Sequence, residues 1–503
     1  MDFDISWAQV FLWLHVLAVV ACVVRVLYKQ RNTGTAFAWL IILFVFPVFG
    51  VIAYFVIGEP RLGTARAKRS EQMNAFYRAF AEQHLGDGNA ELNRQMQQRY
   101  QGISHVATSV TGLAPSENNA MRLLTQTDEI IDAMLADIQA AQQTCALAFY
   151  IIEPQGKIQM LLGAVRDAAK RGVECTILAD AVGSGAFLGS EWEAQLREAG
   201  VRIVPALPVG VFKTFFARSD LRNHRKILIV DNLIAYTGSF NLVDPRFFKQ
   251  GAGVGEWVDV MMRCRGEMVL ELAAVFYADV AVETDENLTE VQQQIEQISD
   301  KIPELLTIKR QSGDAIAQVI PSAPNQSDPV IYETIVCAIH AAKSRVMITT
   351  PYFVPDELLL TALTTAAKRG VDVTLILPAK VDSLLVRWAS RAYYPKLLNA
   401  GVKIALFDGG LLHAKTLTVD NDYALFGTVN MDMRSFFLNL EISLAIYDAP
   451  ATQAIAQLQQ QYLHSSHLIS PTHWQQRDKV WGLVENVVRL FSPPLPPSVF
   501  RLH

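Results

Sequence analysis

The chain has 503 residues, a net charge of −5 and 51% hydrophobic content, which is ample for large cores and two to four folded units. The negative balance gives no reason to expect a nucleic-acid binder. Its five cysteines are scattered, with no CxxC pair; they form neither a zinc site nor a disulfide framework and read as buried thiols of a reducing compartment.

The chain opens on two segments of lipid-crossing length. Ile5 to Val24 is predominantly apolar and free of Lys, Arg, Asp and Glu, and Ala36 to Ile57 is a run of 22 uncharged residues. About 20 apolar residues span a bilayer. Both segments are therefore expected to cross, as a transmembrane helical hairpin over residues 1–60, with Pro47 and Gly50 able to kink the second. The first is too long for a signal-peptide core and lacks a basic start. Charges nearly balance across the two ends: Arg25, Lys29 and Arg31 lie between the spans, and Arg61, Arg66, Lys68 and Arg69 follow them. The free cysteines tip the reading toward a cytoplasmic main body. Residues 61–116 are polar, with helical stretches near 69–83 and 89–100, and read as a connector.

From about residue 117 the chain repeats itself. An apolar strand at Cys145–Ile152 leads to a helix ending Ala168-Ala169-Lys170-Arg171-Gly172-Val173 and a strand near Cys175–Ala179. The same order recurs at Val346–Thr350, a helix ending Ala366-Ala367-Lys368-Arg369-Gly370-Val371, and Val373–Leu377. Strand–helix–strand with Gly at the helix end argues parallel βαβ units. The expected body is α/β: two copies of one mixed-sheet domain, over 117–305 and 306–470, packed face to face about a pseudo-twofold axis. A tail over 471–503 places Leu483, Val484, Val487, Val488 and Phe491 on one helical face, suited either to docking on the body or to lying on lipid. Phe212, Phe215 and Phe216, interleaved with Lys213, Arg218 and Arg222, suit a membrane headgroup boundary as well as a core.

The repeat carries a doubled motif. His224-Arg225-Lys226 leads through an apolar run to Asp231-Asn232 and on to Gly238-Ser239-Phe240-Asn241; His413-Ala414-Lys415 leads to Asp420-Asn421 and Gly427-Thr428-Val429-Asn430. A given His meets Lys at +2 and Asp at +7 by chance in roughly one case in 500 at ordinary composition. Each copy reads as a β-hairpin with Asp-Asn as its turn. His and Lys, two apart on a strand, share a face. A two-residue turn would set His224 opposite Ser239 and His413 opposite Thr428. Imidazole, ammonium, hydroxyl and the Asn241 or Asn430 carboxamide would then line one face, the last three being donors suited to an oxyanion without a metal. Parity puts Asp231 and Asp420 in the turn rather than in the chemistry. Asp259 and Glu441 each interrupt an apolar strand downstream; a buried carboxylate needs a partner, and an imidazole Nδ1–H, which it would orient, is a suitable one.

The doubled motif resembles the phospholipase D superfamily. With the N-terminal spans, Thr350-Pro351-Tyr352-Phe353-Val354-Pro355 and Asn430-Met431-Asp432-Met433-Arg434-Ser435, the chain is similar over essentially its whole length to the bacterial cardiolipin synthases. The resemblance implies two phospholipase D-like domains sharing one site, with His224, Lys226, Asp231, His413, Lys415 and Asp420 as the catalytic set and no metal or organic cofactor. It implies a multi-pass protein of the bacterial inner membrane that moves a phosphatidyl group from one phosphatidylglycerol to another through a phosphohistidine, with the N-terminal His as nucleophile. Asp259 and Glu441 would each serve the His of the opposite half. Ser239, Asn241, Thr428 and Asn430 would bind phosphate. A hydrolase using water as acceptor is the alternative, and a homo-oligomer is left open.

Overall fold

The structure is a computed structural model that describes residues 7–29, 33–58, 68–69, 98–208, 221–284, 313–324, 326 and 328–491. The chain divides into two compact units, residues 1–67 with 209–221, and residues 68–208 with 222–503. Phe212, Phe215 and Phe216 lie outside the described residues.

The first unit begins with a helix over Trp7–Lys29, about 35 Å long at 1.5 Å per residue and so matched to a bilayer core. Within it Gln9–Tyr28 is, among the described residues, the one helix long and apolar enough to cross a membrane. The second apolar segment is not one continuous helix. It breaks at Phe46 into helices Thr33–Val45 and Pro47–Ile57, each under about 20 Å and too short to cross. These two fold back on each other. Trp39 and Tyr54 meet edge to face with ring centroids 5.3 Å apart, and a Cβ on Gly50 would stand 2.9 Å from the Ile42 carbonyl oxygen. Pro47, which cannot donate to the helix before it, and Gly50, which lets the backbones approach, together fold the segment into a helical hairpin. Cys22, Val26, Trp39, Leu43 and Tyr54 form its core.

The second unit is built on one sheet of sixteen strands among the described residues. In the first repeat the strands run, in spatial order, Ser116–Leu124, Met261–Arg265, Ile234–Gly238, Ile227–Val230, Thr144–Phe149, Glu174–Asp180 and Arg202–Ala206. The second repeats that order with Ala315–Ser322, Asn439–Ile446, Tyr423–Gly427, Thr416–Val419, Arg345–Thr349, Asp372–Pro378 and Lys403–Phe407, then adds Ser466–Leu468. Ser116–Leu124 pairs antiparallel with Ala315–Ser322. The copies therefore join edge to edge through the first strand of each, not face to face. That pairing hides two edges that would otherwise be open to foreign strands.

The two Ala-Ala-Lys-Arg-Gly-Val runs do the same local work. Helices Lys157–Lys170 and Glu357–Lys368 connect parallel strands. Each ends where Gly172 or Gly370 adopts φ above 90°, and Val173 and Val371 donate back to Ala168 and Ala366 at 3.1 Å, closing the helix with a left-handed cap. A helix over Met268–Glu283 is apolar all round and nearly wholly buried, and its core cluster takes in residues of both repeats. The segment read as a mere connector also packs. Helix Gln98–Thr111 buries Tyr100, Ile103 and Ala107 against helix Val330–Ala341 of the second repeat.

Candidate active site

Each motif histidine sits just before a short buried strand, Ile227–Val230 or Thr416–Val419, and is held there by the other repeat. His224 donates its backbone N–H to Leu440 at 2.9 Å, and His413 donates to Val258 at 2.8 Å. The strands just before them, Arg222–Asn223 and Leu411–Leu412, run parallel to Asn439–Leu440 and Trp257–Val258 respectively. Each histidine is thus paired with the residue that precedes the other repeat's acidic residue. The side chains follow: His224 Nδ1 lies 2.8 Å from Glu441 Oε2, and His413 Nδ1 lies 2.7 Å from Asp259 Oδ1. With Nδ1–H given to a carboxylate, each imidazole keeps Nε2 free for chemistry.

The hairpin turns are one residue longer than the two-residue turn expected from sequence. Val230 pairs with Ile234, and Val419 with Tyr423, leaving three residues in each loop. Asp231, Asn232 and Asp420 adopt positive φ, which Asn and Asp tolerate better than most residues. The register moves by one, so Ser239 and Thr428 do not face the histidines. Ser239 instead donates to Asp259 at 2.6 Å and accepts from Val260 N at 3.0 Å; Thr428 donates to Glu441 at 2.5 Å and accepts from Ile442 N at 3.0 Å. Their protons are committed to carboxylates, which corrects the reading of both as phosphate donors. Asn439 adds a third contact on Glu441 at 3.1 Å.

Asp231 and Asp420 stand at the far ends of those strands, seven residues and roughly 20 Å of extended chain from the histidines. That removes both from the catalytic set. Asp231 accepts from the backbone N–H of Gln142, Gln143 and Thr144 at 2.7–3.2 Å. Asp420 accepts from those of Lys343, Ser344 and Arg345 and from the Ser344 hydroxyl, and pairs with Arg99. Burial opposes the Asp420 charge, but these donors outweigh it and hold its carboxyl down at about 2.

Lys226 and Lys415 are buried and donate to the carbonyls of His224 and His413, the first at 2.7 Å. Burial lowers them to about 8 and about 7. Burial also pushes both histidines down to about 4, against the pull of Glu441 and Asp259. Burial works against both carboxylates in turn, yet His413 with Lys415, and His224 with Lys226, outweigh it and hold them below their ordinary values. The Lys415 charge reaches His224 and the Lys226 charge reaches His413, so the two motifs share one electrostatic site. Asn241 accepts from Ile151 N at 3.2 Å while its Nδ2 is buried without a partner, as is Asn430 Oδ1. A buried amide donor left open is what an incoming phosphate oxygen would satisfy. Among the described residues no group of three His, Cys, Asp or Glu is placed to hold a metal ion.

Several site residues were not legible from sequence. Trp257 lies against the His413 ring at 4.3 Å, and Tyr150 meets His224 edge-on at 5.2 Å. Asp382 accepts from Tyr352 at 2.7 Å and pairs with Lys249 at 3.0 Å; against burial, Lys249 first and His413 last help hold its carboxyl below the ordinary value. Arg225 crosses between the repeats: it pairs with Asp279, and donates to Glu441 O at 3.0 Å and Ser322 O at 2.9 Å. Arg225 lies inside the first motif and Trp257 two residues before Asp259, which could have suggested them; Tyr150 is 74 residues before His224, and nothing in the sequence points to it.

Comparison with known proteins agrees with this architecture. A family profile described as "Cardiolipin synthase, PLD-like domain" matches residues 134–251 and 335–463, and one described as "Phospholipase D-nuclease N-terminal" matches residues 16–59. The chain is 41% identical over 501 residues to cardiolipin synthase A of Yersinia pseudotuberculosis, covering 98% of this chain and 99% of that protein. The same figures hold for cardiolipin synthase A of Yersinia pestis. The crystal structure of phosphatidylserine synthase from Haemophilus influenzae superposes with a TM-score of 0.57 at 13% identity, covering 79% of this chain and all of that one; at that identity the likeness speaks to fold alone. By its sequence and its paired phospholipase D-like repeats, the chain belongs to the cardiolipin synthase family.

Proposed function

We propose that the chain works as a phosphatidyltransferase through the paired histidines, with one crossed carboxylate behind each. It is a cardiolipin synthase acting on phospholipids: two phosphatidylglycerols give cardiolipin and glycerol. His224 Nε2 attacks phosphorus in line, forming a P–N bond as the P–O bond to glycerol breaks. His413, protonated at Nε2, passes that proton to the departing glycerol oxygen. It then takes the proton from a hydroxyl of the second phosphatidylglycerol, whose oxygen forms the new P–O bond as the P–N bond breaks. The observation that carries this reading is the exchange of carboxylates between halves: each ring is fixed by the other repeat, so neither half is a complete catalyst.

The neutral state that burial imposes on His224 suits a nucleophile. His413 must gain a proton, and an anionic phosphodiester beside it favours the charged ring. Lys226, Lys415 and the open Asn241 amide would take the charge that develops on the phosphorane oxygens; donors of this kind contribute roughly 3–4 kcal/mol each in comparable oxyanion sites. The body lies on the cytoplasmic side of the inner membrane in this reading. The purified full chain in vesicles of phosphatidylglycerol should yield cardiolipin and glycerol in equal amounts by mass spectrometry. Phosphatidic acid and glycerol without cardiolipin would make it a hydrolase instead.

A further inference from the structure

The last described helix, Lys479–Phe491, is mounted the wrong way round for a soluble protein. Its acidic residue Glu485 is 1% exposed, paired with Arg391 at 3.0 Å and with Arg477 at 2.8 Å and 3.1 Å. Arg489 turns inward over the Tyr393 ring. Its apolar residues face out: Leu490 is 71%, Leu483 67% and Val480 61% exposed, with Val484 and Val487 between them. An ordinary surface helix does the reverse. The helix packs on Leu384–Arg391, where Trp388 stacks on Trp481 at 5.0 Å and Leu384 is also exposed, so one apolar face extends across both.

We propose that this face lies in the headgroup–acyl boundary of a phosphatidylglycerol-containing bilayer and holds the repeat that carries His413 at the lipid surface. Three features favour lipid over a protein partner. Leaving this much apolar surface in water costs roughly 1.5–3 kcal/mol per large side chain, and an interfacial helix removes that cost by sinking its apolar face about 5–10 Å. Although Arg391 and Arg477 face Glu485 and Arg489 turns inward, the two helices with Arg477 and Asp478 keep five basic residues against two acidic ones, a net positive field that complements the anionic lipid the reaction consumes. Thirdly, Leu384–Arg391 starts two residues after Asp382, the carboxylate that holds Tyr352 and Lys249 and lies within electrostatic reach of His413. Glu485, clamped by two arginines, is the lock that keeps the apolar side outward. The inference rests on the proposed lipid substrate.

The test uses the full chain with Leu483→Cys carrying an NBD label, reconstituted in vesicles of phosphatidylglycerol and phosphatidylcholine, the unsubstituted chain serving as labelling control. Blue-shifted emission quenched by lipids with a shallow nitroxide is expected. Emission at the wavelength of water overturns the proposal, and so does blue emission that nitroxide lipids do not quench, since another protein surface would then cover the face. Leu483→Glu, Val487→Glu and Leu490→Glu combined should raise the KM for vesicle phosphatidylglycerol by roughly tenfold or more and leave kcat unchanged; an unchanged KM contradicts it. Cardiolipin formed without quenching sinks only the docking surface, whereas quenching without cardiolipin sinks the proposed reaction.

Discussion

The unit of design is a carboxylate lent from one repeat to the histidine of the other. Glu441 and Asp259 touch no reacting atom in the proposed course; they fix which nitrogen of each ring is free. Glu441→Gln and Asp259→Asn keep the shape but can leave the wrong tautomer, and each is expected to lower kcat by about 10³-fold or more, as such replacements do in His–carboxylate pairs. Single-turnover kinetics on protein of unchanged melting temperature checks this; a role confined to structure would lower that temperature and spare the rate. The imidazoles and lysines were legible in the sequence because the motif recurs with fixed spacing, and both carboxylates because each interrupts an apolar strand. Ser239 and Thr428 were legible as residues but not in role, since one extra turn residue decides which way a hydroxyl points. Trp257 and Asp382 were not, because only tertiary packing brings them to His413.

At the scale of elements, the His-Lys-Asp hairpin separates chemistry from construction along one strand. Its histidine end faces the other repeat, and its aspartate end ties down the loop that starts the neighbouring strand. Asp231→Ala removes a carboxylate that satisfies three backbone N–H groups and is expected to cost about 1–2 kcal/mol of stability while activity per folded molecule stays close to that of the parent. Denaturant unfolding with active-site titration would show it; a stable but inactive Asp231→Ala protein would return Asp231 to the catalytic set. Strand and helix periods were readable because the chain states them twice, once in each repeat. The break in the second apolar segment was not legible because hydropathy counts length alone, whereas Pro47 and Gly50 let it fold back so that Trp39 reaches Tyr54.

Across the whole molecule, the duplication gives a single catalyst rather than two. The sheet runs unbroken through the pair Ser116–Leu124 and Ala315–Ser322, which no periodicity within either repeat could announce. Burying two imidazoles also ties stability to pH. Their folded values lie near 4 against an ordinary 6.5. Below about pH 6.5 the unfolded chain therefore binds protons that the folded chain refuses, and stability falls as pH drops toward 4. Asp259 and Glu441, held below their ordinary values, add a further loss below about pH 4. Asp180 and Asp432, raised by burial to about 6, act in the opposite sense between about pH 6 and 4, so the histidine contribution is read as a difference. The double variant His224→Asn with His413→Asn should gain melting temperature relative to the parent as pH drops from about 6.5 to 4, and an unchanged difference would contradict the buried, neutral rings. The central claim, a phosphatidyl group carried on one ring and released by the other, is tested most directly by acid-free trapping and peptide mapping after mixing with phosphate-labelled phosphatidylglycerol. The account predicts label on His224, lost in His224→Asn and, in His413→Asn, both slow to form and slow to turn over. Label that survives His224→Asn, or cardiolipin made by a protein lacking either ring, would contradict it.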